Sequence, residues 1–175
     1  PGRARSPRDA IGGREITVDI AAPGDVIGPL HTHSSPATDS AWAIETTCAL
    51  YLPAEALAEV VDAYPQLALA LIRMQQDQLV RSREHETALT TSTVEQRVAA
   101  ALQHLDAKRG QIRQDGSSLL QVRLRRDDVA GMAGTTVESA SRAMARMKKT
   151  GVIDSGREWI AITNHQALAD LVTGL

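Results

Sequence analysis

The sequence predicts an α+β fold: a β-rich first third, a long central helix, and a C-terminal helix pair followed by two short strands. Three observations lead to this prediction. Residues 14–21 alternate apolar and polar side chains, and a Pro-Gly-Asp turn and a short apolar run follow them, which is typical of β-strands joined by a turn. Residues 66–91 have the Ala-, Leu- and Glu-rich texture of a long helix. Residues 126–149 carry two helical patterns that are separated by a glycine.

The composition bounds the class of protein. The chain has 175 residues, of which 43% are hydrophobic and 23% are charged, enough for one or two domains with real cores. It contains no run of about 18 apolar residues and no segment that resembles a signal peptide. We therefore expect a cytoplasmic protein with no membrane partner. Cys48 is the only cysteine, which excludes an intrachain disulfide and a four-cysteine iron–sulfur cluster within this chain.

The net charge of −2 hides an asymmetry between the two halves. Residues 1–91 hold seven Lys/Arg and twelve Asp/Glu, so their balance is 7 − 12 = −5. Residues 92–175 hold twelve Lys/Arg and nine Asp/Glu, so their balance is 12 − 9 = +3. This difference indicates two parts with different electrostatic roles.

The N-terminal third is predicted to be a β meander. The segments "REITVDIA" and "VIGPL" flank the turn at residues 23–25, and "AWAIETTCALYLP" suits one or two strands that end at Pro53. Cys48 lies in this last alternating segment, which favours a buried structural thiol over a redox sensor. Residues 1–10 are rich in Arg and Pro and predict nothing alone.

Two histidines lie close together in the polar loop that follows the first strands. His31 and His33 are two residues apart and have the chemistry to bind a metal or haem iron. Two histidines without a clear third ligand are more often ordinary loop residues, so we predict no metal site.

The long helix carries an apolar seam with a spacing near 3.5 residues. The predicted dimer interface consists of Ala68, Ile72, Gln75 and Leu79. A seam of this kind fits a two-stranded contact between copies of the chain. Periodicity alone fits equally well an ordinary helix that packs on its own β domain, so both interpretations stay open.

A second helix start predicts a boundary near residue 91. Ser92 precedes Glu95 by three residues, which is the spacing of a capping box, and a helical stretch with its own glycine stop follows. We therefore divide the chain into residues 1–65, a partial sensor domain; residues 66–91, the dimerisation helix; and residues 92–175, the C-terminal domain.

The C-terminal domain has the pattern of a winged helix-turn-helix. A hairpin is predicted around Asp115 and Gly116, and a short helix that begins at Asp127 and Asp128 is broken by Gly134. Small residues on the facing sides of the two helices allow a close crossing. Two short strands around residues 155–156 then form a wing.

The second helix of this pair has two dissimilar faces. Thr135 or Thr136 can cap its start, Thr135 with Glu138 has the spacing of a capping box, and Gly151 follows the last turn. One stripe is apolar and consists of Ala140, Ala143, Met144 and Met147, whereas the other consists of Val137, Glu138, Ser141 and Arg142. The second stripe can read bases in the major groove. The alternative is a surface ion pair between Glu138 and Arg142, worth only a few tenths of a kcal/mol.

With these motifs in place, the chain resembles the catabolite-activator and fumarate–nitrate regulator (CRP/FNR) class of bacterial transcription factors. The resemblance covers nearly the entire chain and rests on "GREITV", "PGDVIG", "YLP", the long helix, "STVEQRVA", "AGTTVESASRAM" and "TGVI". It implies a β-roll of the cyclic-nucleotide-binding-domain type that lacks its first strands, a long dimerisation helix and a C-terminal winged helix-turn-helix.

The resemblance also implies roles for single residues. Members of the family read DNA with a Glu, a Ser and an Arg, which correspond to Glu138, Ser141 and Arg142. Val137 stands beside them, where the catabolite-activator subtype carries an arginine, so the chain is more similar to the fumarate–nitrate subtype. The implied phosphate contacts are Arg125, Arg126, Thr136 and Arg157. The implied partners are double-stranded DNA with an inverted repeat, a second copy of the chain and RNA polymerase.

The resemblance fails at the ligand site of the cyclic-nucleotide binders. Those members carry a Glu after the glycine of the phosphate cassette and an Arg in the next loop. Here Gly28 is followed by Pro29, and Ala37 stands near the place of the arginine. A buried phosphate without that cation is left unpaired, at a cost of several kcal/mol. We therefore expect no cyclic AMP binding in the usual mode, no iron–sulfur cluster and no certain cofactor.

Two alternatives from other classes remain. The first is a ligand-binding regulatory module whose winged helix contacts a protein instead of DNA, against which the +3 balance of residues 92–175 argues. The second is an enzyme that uses the histidine loop. The sequence offers no nucleophile or acid–base constellation for one, so we expect no enzymatic activity.

Overall fold

The computed structural model describes residues 4–9, 15–31, 33, 36, 40–120, 124–156 and 158–174. Its elements, in chain order, are β1 (Ala4–Asp9), β2 (Glu15–Ala21), β3 (Trp42–Ala43), α1 (Ala54–Ala63), α2 (Pro65–Thr91), α3 (Val94–Arg109), β4 (Gln111–Ile112), β5 (Ser118–Leu120), α4 (Arg126–Met132), α5 (Val137–Lys149), β6 (Ile153–Gly156), β7 (Trp159–Ile162) and α6 (His165–Thr173). The predicted α+β class is confirmed.

The N-terminal strands form a three-stranded antiparallel sheet in the order β2-β1-β3. Ala4 pairs with Ala21, and the register shifts between Ser6 and Pro7. A proline cannot donate a ladder hydrogen bond, so an irregularity at this point is expected. Strand β1 lies in the Arg- and Pro-rich segment, whose residues alone predict no element.

The other predicted N-terminal strands are wrong. Residues 26–30 form no strand, and of residues 41–53 only Trp42–Ala43 does. Leu50 is fully exposed and Tyr51 is 87% exposed. An alternating segment becomes a strand only where a partner strand and a covering layer are available, and the part of the chain that the structure describes supplies neither here. Cys48 lies in this segment and is exposed, so the predicted buried thiol is also wrong.

Two helices lead from the sheet to the C-terminal domain. Pro65 occupies the first turn of α2, where its missing N–H costs nothing. Helix α2 runs for 27 residues and buries none of them against the described part of the chain.

The C-terminal domain contains most of the core. Helix α3 packs against α4, α5 and α6, and the four-stranded sheet β4-β5-β7-β6 lies beside them. The most deeply buried large side chains here are Val98, Leu102, Leu105, Leu120, Val129, Met144, Met147, Ile153, Ile162 and Leu168. The predicted hairpin is present, with Gly116 at a positive φ of 79° in its turn.

The predicted cap of α3 is displaced by one residue. Helix α3 is capped by Thr93, which forms a capping box with Gln96. Ser92 is not available because its N–H still bonds to the carbonyl of Ala88 and closes α2. Helix α5 is capped by Thr136, one of its two predicted candidates, and not by a capping box of Thr135 with Glu138, because the N–H of Thr135 bonds to Ala130 within the turn.

Candidate nucleic-acid interface

Helix α5 is held by one face and exposes the other. The predicted apolar stripe is confirmed, because Ala140, Ala143, Met144 and Met147 are each at most 1% exposed. The hydroxyl of Thr136 accepts from the backbone N–H of Ser139 at 3.2 Å and fixes the start of the helix. Small residues on the buried side let α4 and α5 cross closely, so the opposite face stands out from the domain.

The exposed face carries the residues that the sequence singled out. Val137 is 43% exposed. Nη1 of Arg142 lies 3.1 Å from Oε1 of Glu138, with the two side chains 63% and 77% exposed respectively. Ser141 lies between them and is half-buried. The structure thus brings all four residues onto one patch, and the ion pair that was the alternative interpretation is formed within it.

The predicted phosphate contacts around this patch differ in their exposure and in their partners. Arg125 precedes α4 and is 61% exposed, with Nε 3.8 Å from Oδ2 of Asp128. Arg126 turns its guanidinium onto the sulfur of Met144. Thr136 lies at the start of α5. Arg157, the fourth predicted phosphate contact, lies outside the described residues.

The predicted wing is present and is tied to the end of α5. Strands β6 and β7 pair antiparallel, with Gly156 opposite Trp159. Nζ of Lys148 lies 2.8 Å from Oδ1 of Asp154 and donates to the carbonyl of Ser155 at 2.8 Å. The hydrogen bond from Lys148 lowers the pKa of the exposed Asp154 carboxyl. The contact between Lys148 and the wing was not predicted from the sequence.

A contact between the N-terminal sheet and the helix pair was also missed. Oγ1 of Thr17 donates to Oδ1 of Asp128 at 2.7 Å, and both residues are 3% exposed. A Cβ on Gly131 would lie 2.7 Å from the carbonyl oxygen of Thr17, so only glycine lets β2 approach α4 this closely. Gly131 is an isolated glycine within a helical pattern, and this is the feature of the sequence from which such a contact could have been inferred.

Charged side chains surround this contact. Nζ of Lys108 donates to Oδ2 of Asp19 at 2.7 Å and to Asp25 at 3.2 Å, and His104 lies 3.2 Å from Asp19. Burial raises the pKa of the Asp19 carboxyl, but the hydrogen bonds from His104 and Lys108 outweigh it and lower the pKa to about 2. The carboxylates of Asp19 on β2 and of Asp25 in the turn after it thus share the ammonium group of Lys108 on α3.

The remaining candidate residues in the first half are exposed. His31 and His33 stack with ring centroids 5.6 Å apart. Within the described ranges, no group of three or more His, Cys, Asp or Glu residues could hold a metal ion. None of the helices in those ranges is both long enough and apolar enough to cross a bilayer. Gly28 has a positive φ of 99°, and Ala37 lies outside the described residues.

The predicted dimer seam lies open on α2. Ile72 is 61% exposed and Leu79 is 52% exposed. Ala68 is half-buried and Gln75 is exposed. Large apolar side chains exposed along one helix are a common mark of a protein–protein contact.

Comparison with known proteins agrees with this geometry. Residues 96–171 match the model of the Crp-like helix-turn-helix domain. The fumarate and nitrate reduction regulatory protein of Escherichia coli is 29% identical over 150 residues, which are 85% of this chain and 59% of that protein. The electron transport regulator A of Shewanella oneidensis is 28% identical over 145 residues, which are 83% of this chain and 58% of that protein. The chain spans about three fifths of the length of such relatives.

Solved structures share the fold. FixK2 from Bradyrhizobium japonicum superposes with a TM-score of 0.75 at 24% identity and covers 97% of this chain and 83% of its own. A CRP-family transcriptional regulator from Thermus thermophilus superposes with a TM-score of 0.77 at 20% identity and covers 98% and 84%. Residues 96–171 thus match a Crp-like helix-turn-helix domain, and the whole chain is similar to CRP/FNR-type transcriptional regulators in sequence and shares the fold of solved members of that family.

Proposed function

We propose that the chain regulates transcription as a homodimer that binds an inverted repeat in double-stranded DNA, with α5 in the major groove. The observation that carries this proposal is the patch on α5, where Glu138 and Arg142 form an exposed ion pair beside the exposed Val137. The opposite face of α5 is buried in the core, so the domain holds the helix rigidly. Rigid presentation of a few base-edge groups is what major-groove reading requires.

Each residue of the patch suits a different base edge. The Arg142 guanidinium can donate two hydrogen bonds to guanine, and the Glu138 carboxylate can accept from the amino group of cytosine. Val137 can contact a thymine methyl, and Ser141 can donate or accept. The Glu138 carboxylate also holds the guanidinium in place before binding. A half-site with a TGA-like core, as the family resemblance implies, fits this set.

The exposed groups around the patch hold the DNA backbone. Arg125 and Thr136 stand at the starts of α4 and α5, where backbone N–H groups also favour phosphates. Arg126 joins them when its guanidinium leaves Met144. We add Arg157 from its place in the sequence, between the two strands of the wing.

Dimerisation through α2 sets the spacing of the two reading helices. A helix of 27 residues that buries none of them gains stability by pairing its apolar seam with a second copy. Two recognition helices about 34 Å apart then reach successive major grooves, which requires an inverted repeat. We accordingly assign residues 1–65 to sensing, 66–91 to dimerisation and 92–175 to DNA binding, with RNA polymerase as the downstream partner.

Regulation passes through the N-terminal sheet. Strand β2 packs directly on α4, so a change in the sheet reaches the helix pair without an intermediary. The relatives are named as anaerobic and electron transport regulators, which points to a signal of redox metabolism. We assign no cofactor.

Selection of DNA fragments tests the proposed function. The protein is titrated against random duplex in a gel shift, and the retained fragments are sequenced. We expect an inverted repeat whose half-site centres lie about 10 base pairs apart. Retention without any enriched motif would reduce α5 to a phosphate-binding helix, and no retention at low salt would favour the winged helix as a protein-contact module.

A further inference from the structure

The guanidinium of Arg97 lies where three helices meet. Arg97 belongs to the first turns of α3, and its Nε donates to the carbonyl of Ala133 at 2.9 Å. Its Nη1 donates to the carbonyl of Ser92 at 2.7 Å. Ser92 is the C-cap of α2 and Ala133 is the C-cap of α4. One planar group therefore binds the terminal carbonyls of two helices from a third.

The last turns of α2 also touch the turn between α4 and α5. Gly134 follows Ala133 in this turn and has a positive φ of 57°. A Cβ on Gly134 would lie 2.5 Å from Cδ2 of Leu89 and 3.6 Å from Nε2 of His85. The turn that sets the start of the reading helix is thus in van der Waals contact with the end of the helix proposed to dimerise.

We propose that Arg97 is a positioning residue through which the end of α2 sets the orientation of α5, an inference that rests on the proposed function. The guanidinium presents its two N–H donors in a fixed plane, so it holds the Ser92 and Ala133 carbonyls at a fixed separation. A displacement of the end of α2 then either carries the turn with it or breaks a hydrogen bond. The Thr136 cap lies only three residues beyond Ala133, so the start of α5 moves with the turn.

A helix-terminal arginine that served stability alone would act differently. It would lower the unfolding midpoint when replaced but leave the preference of the folded protein for one DNA sequence unchanged. A positioning residue changes that preference, because misaligned side chains on α5 lose base contacts while phosphate contacts tolerate small rotations. The two roles are therefore separable by measuring cognate and random duplex in parallel.

The test uses the full chain with Arg97→Lys and Arg97→Met. Lysine keeps the charge without the planar pair of donors, and methionine keeps only the apolar stem. Arg113→Met is the matched control, because Arg113 is an exposed arginine in the β4–β5 turn. Affinities for the selected repeat and for random duplex are measured by anisotropy, with thermal unfolding recorded on the same samples.

We expect Arg97→Met to reduce the ratio of cognate to random affinity roughly tenfold and Arg97→Lys to reduce it less, within the range usual for coupling between sites. Amide exchange of Gly134 and Thr135, whose N–H groups bond to Gly131 and Ala130, should accelerate in both variants and stay unchanged in Arg113→Met.

The inference is overturned if both Arg97 variants retain the wild-type ratio of cognate to random affinity, even if both affinities fall equally. Should Arg97→Met fail to fold, Arg97→Lys decides by the same ratio. If the wild-type protein binds no duplex, the proposed function fails separately, and unchanged exchange at Gly134 would still overturn the positioning role.

Discussion

Replacing Arg142 with alanine tests whether α5 reads base pairs. In the unbound protein the Arg142 side chain is 63% exposed, and among the described residues its guanidinium pairs only with the exposed Glu138 carboxylate. An exposed pair of this spacing contributes about 0.3–0.5 kcal/mol, so its loss leaves the fold intact. We expect the thermal midpoint of Arg142→Ala to fall by no more than about 2 °C.

The expected loss of DNA affinity follows from the same geometry. A bidentate contact to guanine is worth about 1–3 kcal/mol of discrimination, and part of it is offset because Arg142 must weaken its pairing with Glu138. A net of about 1–2.5 kcal/mol corresponds to roughly 5- to 60-fold per half-site. In a symmetric dimer both half-sites lose the contact, so the free energies add and the factors multiply.

The assay compares the selected repeat with random duplex at one salt concentration. Arg146→Ala is the matched control, because Arg146 lies one turn further along α5, is 56% exposed and pairs with Glu95 at 3.0 Å. We expect Arg146→Ala to weaken binding to both duplexes equally. Arg142→Ala should weaken binding to the selected repeat strongly and binding to random duplex only slightly. If Arg142→Ala instead loses affinity for both duplexes by the same factor, base reading is refuted and α5 is a phosphate-binding helix.

Three further substitutions probe the backbone contacts, the dimer and the sheet. Arg126→Ala should weaken binding to all sequences alike and reduce the dependence of log affinity on log salt by about one unit per site, which titrations between 50 and 200 mM salt will measure. Ile72→Glu or Leu79→Glu should give monomers in sedimentation velocity, and persistence of the dimer in both at low micromolar concentration would exclude this seam. Asp19 has a pKa lowered from 3.8 to about 2, so its contribution is present above pH 4 and is lost as the pH falls towards 2. Because its side chain is 38% exposed, we expect only about 1 kcal/mol, seen as a smaller loss of stability between pH 4 and 2 in Asp19→Asn.

The C-terminal domain could be predicted from the sequence because its signals are local. The turn at Gly134, the wing around residues 155–156 and the apolar stripe of α5 each follow from spacing within a few residues. The cap of α3 was misplaced by one residue, and that of α5 stayed open between Thr135 and Thr136, since two adjacent hydroxyl residues compete at each start and only the hydrogen bonds of the preceding element decide between them.

The N-terminal half could not be predicted to the same extent, because its strands depend on distant partners. Strand β1 exists only by pairing with β2 and β3, and nothing in the Arg- and Pro-rich residues themselves encodes that pairing. The alternation around Cys48 gave a false strand, since without a layer over it the segment stays exposed. The carbonyls that Arg97 binds were likewise invisible, because one of them lies 36 residues away.

The contact between β2 and α4 yields a final prediction, in which helix propensity and packing act in opposite directions. Alanine at position 131 would stabilise an isolated helix by up to about 1 kcal/mol relative to glycine. In the folded chain the added Cβ would lie 2.7 Å from the Thr17 carbonyl oxygen and 3.0 Å from Cγ2 of Ile16, so β2 must move away. We therefore expect Gly131→Ala to accelerate amide exchange in residues 16–20 while the core of α5 keeps its protection. Thr17→Val, which removes the hydroxyl that donates to Asp128 at nearly constant shape, should act in the same direction. If Gly131→Ala instead raises the unfolding midpoint and leaves exchange in β2 unchanged, the strand does not pack on α4, and the sheet has no direct path to the reading helix.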